Sequence, residues 1–244
     1  LVDSITFGAL PSNISYGVSF ENDIYVAYQN PTPGEQNDNF EFSGVLGVPL
    51  TFSHDGGNIS NAIVLEISGD GTEDEIRYTF DYTEPTENSN LYTGPLTIDE
   101  TTIVRAKAFK DGYISLHSNT RNYFYDIESS HPIIHLVTDE YNLFDYDYGI
   151  YAYGPPDYGG YPYFGANFWE DWERPVHISY YENNELEFSA NAGIKIAGAY
   201  SRGWDQKSFS LFARSEYGVG EFEHSFFDNL DYDTFESLVL RNSG

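Results

Sequence analysis

Short strand patterns dominate the chain. In Thr102–Phe109, Ile103, Arg105 and Lys107 face one way and Val104, Ala106 and Ala108 the other. That period of two, with one small apolar face, marks a half-buried strand, because successive side chains leave a strand on opposite sides. Ser208–Arg214 alternates too, and Ile24–Tyr28, Ile63–Ile67, Ile76–Phe80, Pro132–Val137, Val176–Tyr181, Gly193–Ile196 and Phe235–Arg241 read as further strands from their short apolar and aromatic runs. In Ser208–Arg214, Phe209, Leu211 and Ala213 oppose Ser208, Ser210, Phe212 and Arg214. No apolar stripe with a period of 3.6 precedes residue 130. Residues 154–165, rich in Gly, Pro and Tyr, cannot be helical.

Pro31-Thr32-Pro33-Gly34 breaks the pattern, and Gln36-Asn37-Asp38-Asn39 reads as a linker. This predicts three units, 1–38, 39–128 and 129–244. Residues 41–125 should form a seven-strand-like β-sandwich almost free of helix, since short strands alternate there with Gly, Pro, Asn and Asp turns. Residues 1–38 should supply strands that lack partners of their own and are propped by a neighbouring chain or the next unit. Leu1 in place of Met, and a last strand pattern that runs nearly to Gly244, point to a processed or excised piece.

Composition narrows the picture. Among 244 residues, 39 acids outweigh 11 Lys and Arg, for a net charge of −28. Such a field repels nucleic-acid phosphate and anionic lipid, so neither is an expected partner. It suits a solvated surface in salty water, or carboxylate sites for Ca²⁺. With no Cys there is no disulfide, zinc thiolate or Cys nucleophile. There is no apolar run long enough to cross a membrane. The 22 Tyr and 18 Phe argue for a folded chain, because disordered acidic segments are poor in aromatics.

Several constellations could carry chemistry. His131, His135, His177 and His224 lack metal-site spacing and read as structural or surface histidines. Glu170, Asp171 and Glu173 flank Trp169 and Trp172. They read either as a sugar-site carboxylate pair or as an acidic helical turn whose Trp rings enter the core. Tyr146, Tyr148, Tyr151, Tyr153, Tyr158, Tyr161 and Tyr163 could stack on sugars or pin a loop to a β-surface. Gly198 to Lys207 has the layout of strand, glycine-bearing turn and Lys-bearing strand. Backbone N–H groups of such a turn approach phosphate closely, and Lys adds a point charge. The plainer alternative is a solvent hairpin turning at Ser201-Arg202-Gly203. Lys207 shares the apolar face of its strand with Phe209 and Leu211. It should therefore be partly buried beside a carboxylate, or line a cleft under the loop.

Three segments resemble known families. Residues 2–37 resemble the closing strands of a lamin-tail domain, through Asp3–Gly8, Ser15-Tyr16-Gly17 and Pro31–Gly34. Residues 48–118 resemble the immunoglobulin-like module at the C-terminus of chitobiases, through RYTFDYTEPT and LYTGPLTIDETTIVRAKAFKDGYIS. Residues 131–244 resemble the beginning of the secreted CotH kinase family, most of all through GIKIAGAYSRGWDQKSFSLFAR. An Asn of the family's loop is replaced here, since the loop reads Gly198-Ala199-Tyr200-Ser201-Arg202-Gly203.

Together the resemblances imply a mainly β chain, with immunoglobulin-like sandwich modules followed by a β-rich partial kinase lobe. They imply a secreted or cell-surface protein whose CotH part transfers phosphate from ATP, with Mg²⁺, to Ser of a secreted or surface protein. Gly198, Ser201, Arg202, Gly203 and Lys207 would meet the nucleotide. The family's metal-holding acids belong to a later part of the domain, so these residues alone should not catalyse. The alternative is a structural, adhesive or glycan-binding surface protein in which the kinase-like part is a scaffold.

Overall fold

The computed structural model describes residues 11, 13–19, 21–35, 40–127, 129–155 and 159–242. Asp3–Gly8, the Gln36–Asn39 linker, Tyr158 and Gly244 lie outside the described residues.

In the middle of the chain, five strands form one sheet. Their order is Gly57–Ile59, Asn119–Tyr125, Thr102–Phe109, Glu75–Thr79 and Asn90–Leu91. All neighbours run antiparallel except Gly57–Ile59 beside Asn119–Tyr125. Three strand pairs pack across from this sheet: Gly44–Leu46 with Tyr113–Ser115, Thr51–Phe52 with Ile67–Ser68, and Ile63–Leu65 with Leu96–Ile98. Between the layers lie Leu46, Phe52, Leu65, Ile67, Ile98, Val104, Ala106 and Tyr123. The expected sandwich is there, free of helix among its described residues, but its second layer is broken into pairs.

Ile63–Ile67 illustrates the break. Leu65 and Ile67 both point inward, as the alternation requires. The backbone partner changes at Glu66, whose N–H donates to Ser53 Oγ (2.9 Å) while its carbonyl accepts from Ser53 N (2.9 Å). One predicted strand thus becomes two, in different pairs. Phe235–Arg241 divides likewise at Glu236, whose carbonyl accepts from Ala213 N. Thr234–Phe235 pairs with Phe222–Glu223, and Ser237–Leu240 joins the C-terminal sheet.

The early strands Ser15–Val18 and Tyr25–Tyr28 are not partnerless. They pair with each other, and Ala27 bridges to Phe42 at the edge of the middle unit. Ser19 Oγ and Tyr28 OH both donate to the Glu41 carboxylate, which ties the hairpin down.

The C-terminal sheet is antiparallel throughout, in the order Ile133–Val137, Arg174–Glu182, Glu185–Ala197, Ser208–Phe212, Ser237–Leu240. Its two longest strands exceed the predicted runs and meet at Asn183-Asn184, both at positive φ (52° and 69°). Asn suits that left-handed, two-residue hairpin turn. A five-residue helix, Glu140–Phe144, is capped by Asp139 and is too short to leave a periodic signal in the sequence.

Val176 and Ile178 join Ala192, Ile194, Ile196 and Leu211 in a second apolar core. The alternate residues His177, Ser179 and Tyr181 point the other way, onto the outer face of the middle sheet. Asn122 Nδ2 donates to Ser179 Oγ (2.9 Å), and Tyr181 OH donates to the Asn122 carbonyl (3.2 Å). Phe124 meets the rings of His135 and Tyr181 edge-on. The two sheets therefore stack, with a polar seam between two apolar cores.

Candidate functional site

The turn before Lys207 is a 3₁₀ helix, Tyr200–Gly203. Gly198 enters it at φ +108°, and a Cβ there would collide with Ser201 Oγ, so the position requires glycine. Gly203 is buried against Tyr161 and the Pro162 carbonyl. Arg202 folds back over its own loop. Its Nε donates to the Gly198 carbonyl (2.8 Å), its Nη1 to the Phe168 and Trp169 carbonyls (3.4 Å each), and its guanidinium lies over Trp169.

Lys207 is only 6% exposed. Its Nζ donates to the Trp204 carbonyl (2.7 Å) and stands over the rings of Phe168 (4.1 Å) and Tyr151 (4.9 Å). Tyr151 OH accepts from the Lys207 N–H (3.1 Å) and donates to the Asp205 carbonyl (2.6 Å). Burial lowers the Lys207 pKa, and the nearby Asp205 charge opposes that. The expected burial holds. Of the two expected surroundings, the carboxylate is not found among the described residues: a main-chain carbonyl and two π faces surround the ammonium instead.

Gly198 touches Ser201 and Arg202, and Arg202 and Lys207 both reach Phe168, one at its carbonyl and the other at its ring. By residue chemistry the group suits phosphate. Lys207 gives one hydrogen bond to a protein acceptor, and an ammonium can give three. A phosphate would compete with the Phe168 and Tyr151 rings for the rest. Arg202 is committed to three carbonyls. For Mg²⁺ there is no fit: among the described residues no three His, Asp or Glu gather closely enough to hold a metal ion.

Beside the loop, Tyr161, Phe164, Tyr200 and Trp204 are exposed and mutually fixed. Trp204 Nε1 donates to Tyr161 OH, which donates to the Tyr200 carbonyl (3.2 Å each), and the Phe164 and Tyr200 rings meet at 6.1 Å. Of the remaining tyrosines, Tyr151 and Tyr163 pack against the core, Tyr153 meets Phe168 edge-on, and Tyr148 stacks on Tyr141 and on the Arg174 guanidinium. Tyr146 is exposed.

The acidic residues near the tryptophans do not form a catalytic pair. Glu173 binds Arg214 with both oxygens (2.7 Å each), and Asp171 pairs with Lys195. The 3₁₀ turn Asn167–Trp169 ends before Glu170, so the acids lie beyond it rather than within a helical turn, while Trp169 and Trp172 do pack against the core.

Glu84 is a residue that the sequence patterns do not single out. Its carboxylate binds Arg105, Lys107 and Ser118. The signal was available, since two cations at period two on one strand face require a counter-charge. These residues line a cleft of about 450 Å³ where the three parts of the chain meet, with His177, Asn191, Asp139 and Glu216 on other walls.

No curated protein and no solved structure matches this chain. The comparisons give no support to the lamin-tail and CotH resemblances. Residues 54–120 match the family model of the Chitobiase/beta-hexosaminidase C-terminal domain, which supports the immunoglobulin-like reading of the middle unit.

Proposed function

We propose that the chain is part of a secreted or cell-surface protein whose C-terminal unit is the N-terminal part of a CotH-type kinase lobe, with Lys207 as the residue that meets the nucleotide. One observation carries this reading. A lysine is buried between a glycine turn and the start of a strand of the five-stranded antiparallel sheet, with no carboxylate partner among the described residues. Ionisable groups desolvated in this way concentrate at functional sites. ATP supplies the γ-phosphoryl group in such a reaction. Lys207 and the turn's backbone would hold phosphate, and the metal ligands would have to come from elsewhere in the protein.

A second reading is favoured by Arg202, which is spent on three carbonyls, and by the rigid exposed rings of Tyr161, Phe164, Tyr200 and Trp204. In it the unit is an adhesive or glycan-binding scaffold, and the two cations shape the loop that presents those rings.

Isothermal titration with ATP separates the two. The kinase reading predicts binding by the wild-type chain and at least about a tenfold loss in Lys207→Met, which keeps the packing and removes the charge. Absence of ATP binding in the wild-type chain, with binding of a glycan that Trp204→Ala abolishes, establishes the scaffold reading instead.

A further inference from the structure

The seam between the two stacked sheets is built from groups that are poorly matched to burial. Arg105, Thr120 and Asn122 come from the middle sheet, and His135, His177 and Ser179 from the C-terminal one. Ser179 and Asn122 satisfy each other in part. Yet Arg105 Nε, Thr120 Oγ1, Asn122 Oδ1, His135 Nδ1 and His177 Nε2 are buried with no hydrogen-bond partner among the described residues. Each such atom gives up its hydrogen bonds to water on docking, a cost that neither apolar core bears.

His177 is the group through which solution conditions reach the seam. It is 6% exposed, and its Nδ1 lies 2.8 Å from Asn191 Oδ1, which makes Nδ1 the donor and leaves Nε2 a bare acceptor. The positive charges of Arg105 and Arg121 in the middle unit and the His135 ring of its own sheet act on it through space, although the Arg121 side chain itself points toward Phe52 and Asp55. All three oppose a positive charge on the ring, and only the Asn191 carbonyl favours one. Lys107, His117, Glu84, Asp139, Glu216 and Tyr217 line the adjoining cleft. We propose that the seam is an acid-sensitive hinge: protonation of His177 drives the middle and C-terminal units apart while both cores stay folded.

The sign follows from linkage. Burial, the main cause, lowers the His177 pKa from 6.5 to about 4 in the docked state, whereas a solvated ring titrates near 6.5. Docking is therefore full above about pH 6.5, and weakens about tenfold per pH unit as the pH falls toward 4. Val176 and Ile178 on the same strand face the other core, so opening the seam does not require that core to melt.

The chain has no cysteine, so Glu87→Cys and Glu187→Cys provide two unique exposed label sites, one on each unit. Energy transfer between dyes at these positions should fall between pH 6.5 and 4.5, while far-ultraviolet circular dichroism stays constant. His177→Asn keeps a donor for Asn191 and cannot become charged. It should hold the transfer signal at its neutral-pH value down to pH 4.5. His131→Asn, at an exposed site, should behave as wild type. An identical pH profile in His177→Asn and wild type overturns the proposal, as does loss of transfer only together with the circular dichroism signal. If His177→Asn is itself undocked at pH 7.5, His177→Gln serves as the second variant under the same two criteria.

Discussion

The C-terminal sheet shows two unlike faces. On one, Val176, Ile178, Ala192, Ile194, Ile196 and Leu211 close an apolar core in which every atom finds a neighbour without regard to direction. On the other, where His177 also lies, His135, Ser179 and Tyr181 meet Asn122 and Phe124 across the seam. Polar groups need partners at set distances and angles, and two sheets brought together through their side chains satisfy some and strand others. The first face holds the unit together, and the second sets how it sits on its neighbour. Stability and arrangement are thus assigned to opposite sides of one sheet.

The sharpest way to break this comparison is to cut one residue on each face. Leu211→Ala, at a fully buried position, should cost about 3 kcal/mol and unfold the C-terminal unit in urea at lower concentration. Ser179→Ala removes the acceptor of Asn122 Nδ2 and should cost about 1–2 kcal/mol. Its effect should appear as lost docking, read by the same dye pair, with the urea midpoint of the unit almost unchanged. Equal costs, or a Ser179→Ala loss confined to the unfolding midpoint, would erase the distinction. A smaller effect tests the outside of the molecule. Raising NaCl from low concentration to about 0.5 M screens the self-repulsion of a −28 chain, so the melting temperature should rise by several degrees. A flat or falling curve would show that the Glu84 network and the other ion pairs outweigh that repulsion.

The aromatic loop adds a further contrast. Lys207 and Arg202 are both desolvated by burial, which lowers the pKa of each. Arg202 has three carbonyl oxygens, and Lys207 has one carbonyl and two ring faces. Sequence spacing could place Lys207 on the apolar face of its strand, beside Phe209 and Leu211. It could not choose the partner. The rings come from Tyr151 and Phe168, which lie in segments without strand periodicity, and their approach is a consequence of packing.

By itself the sequence determined the strands. Alternation located Thr102–Phe109 and Ser208–Phe212, and short apolar runs located Ile133–Val137, the centre of Arg174–Glu182 and the C-terminal end of Glu185–Ala197, because both signals are local properties of extended backbone. The RYTFDYTEPT and LYTGP segments carried the chitobiase-type resemblance that the family match to 54–120 supports. Only the tertiary structure decided where Ile63–Ile67 and Phe235–Arg241 divide, since that depends on which distant strand offers the next hydrogen bond. It also decided what covers the polar face of Val176–Tyr181. Alternation says that His177, Ser179 and Tyr181 share a side, but that side looks the same in sequence whether it meets water or another sheet. The difference between those two outcomes, solvated or buried with unmatched polar atoms, is set by contacts between residues some sixty positions apart, such as Asn122 and Ser179 (57 apart).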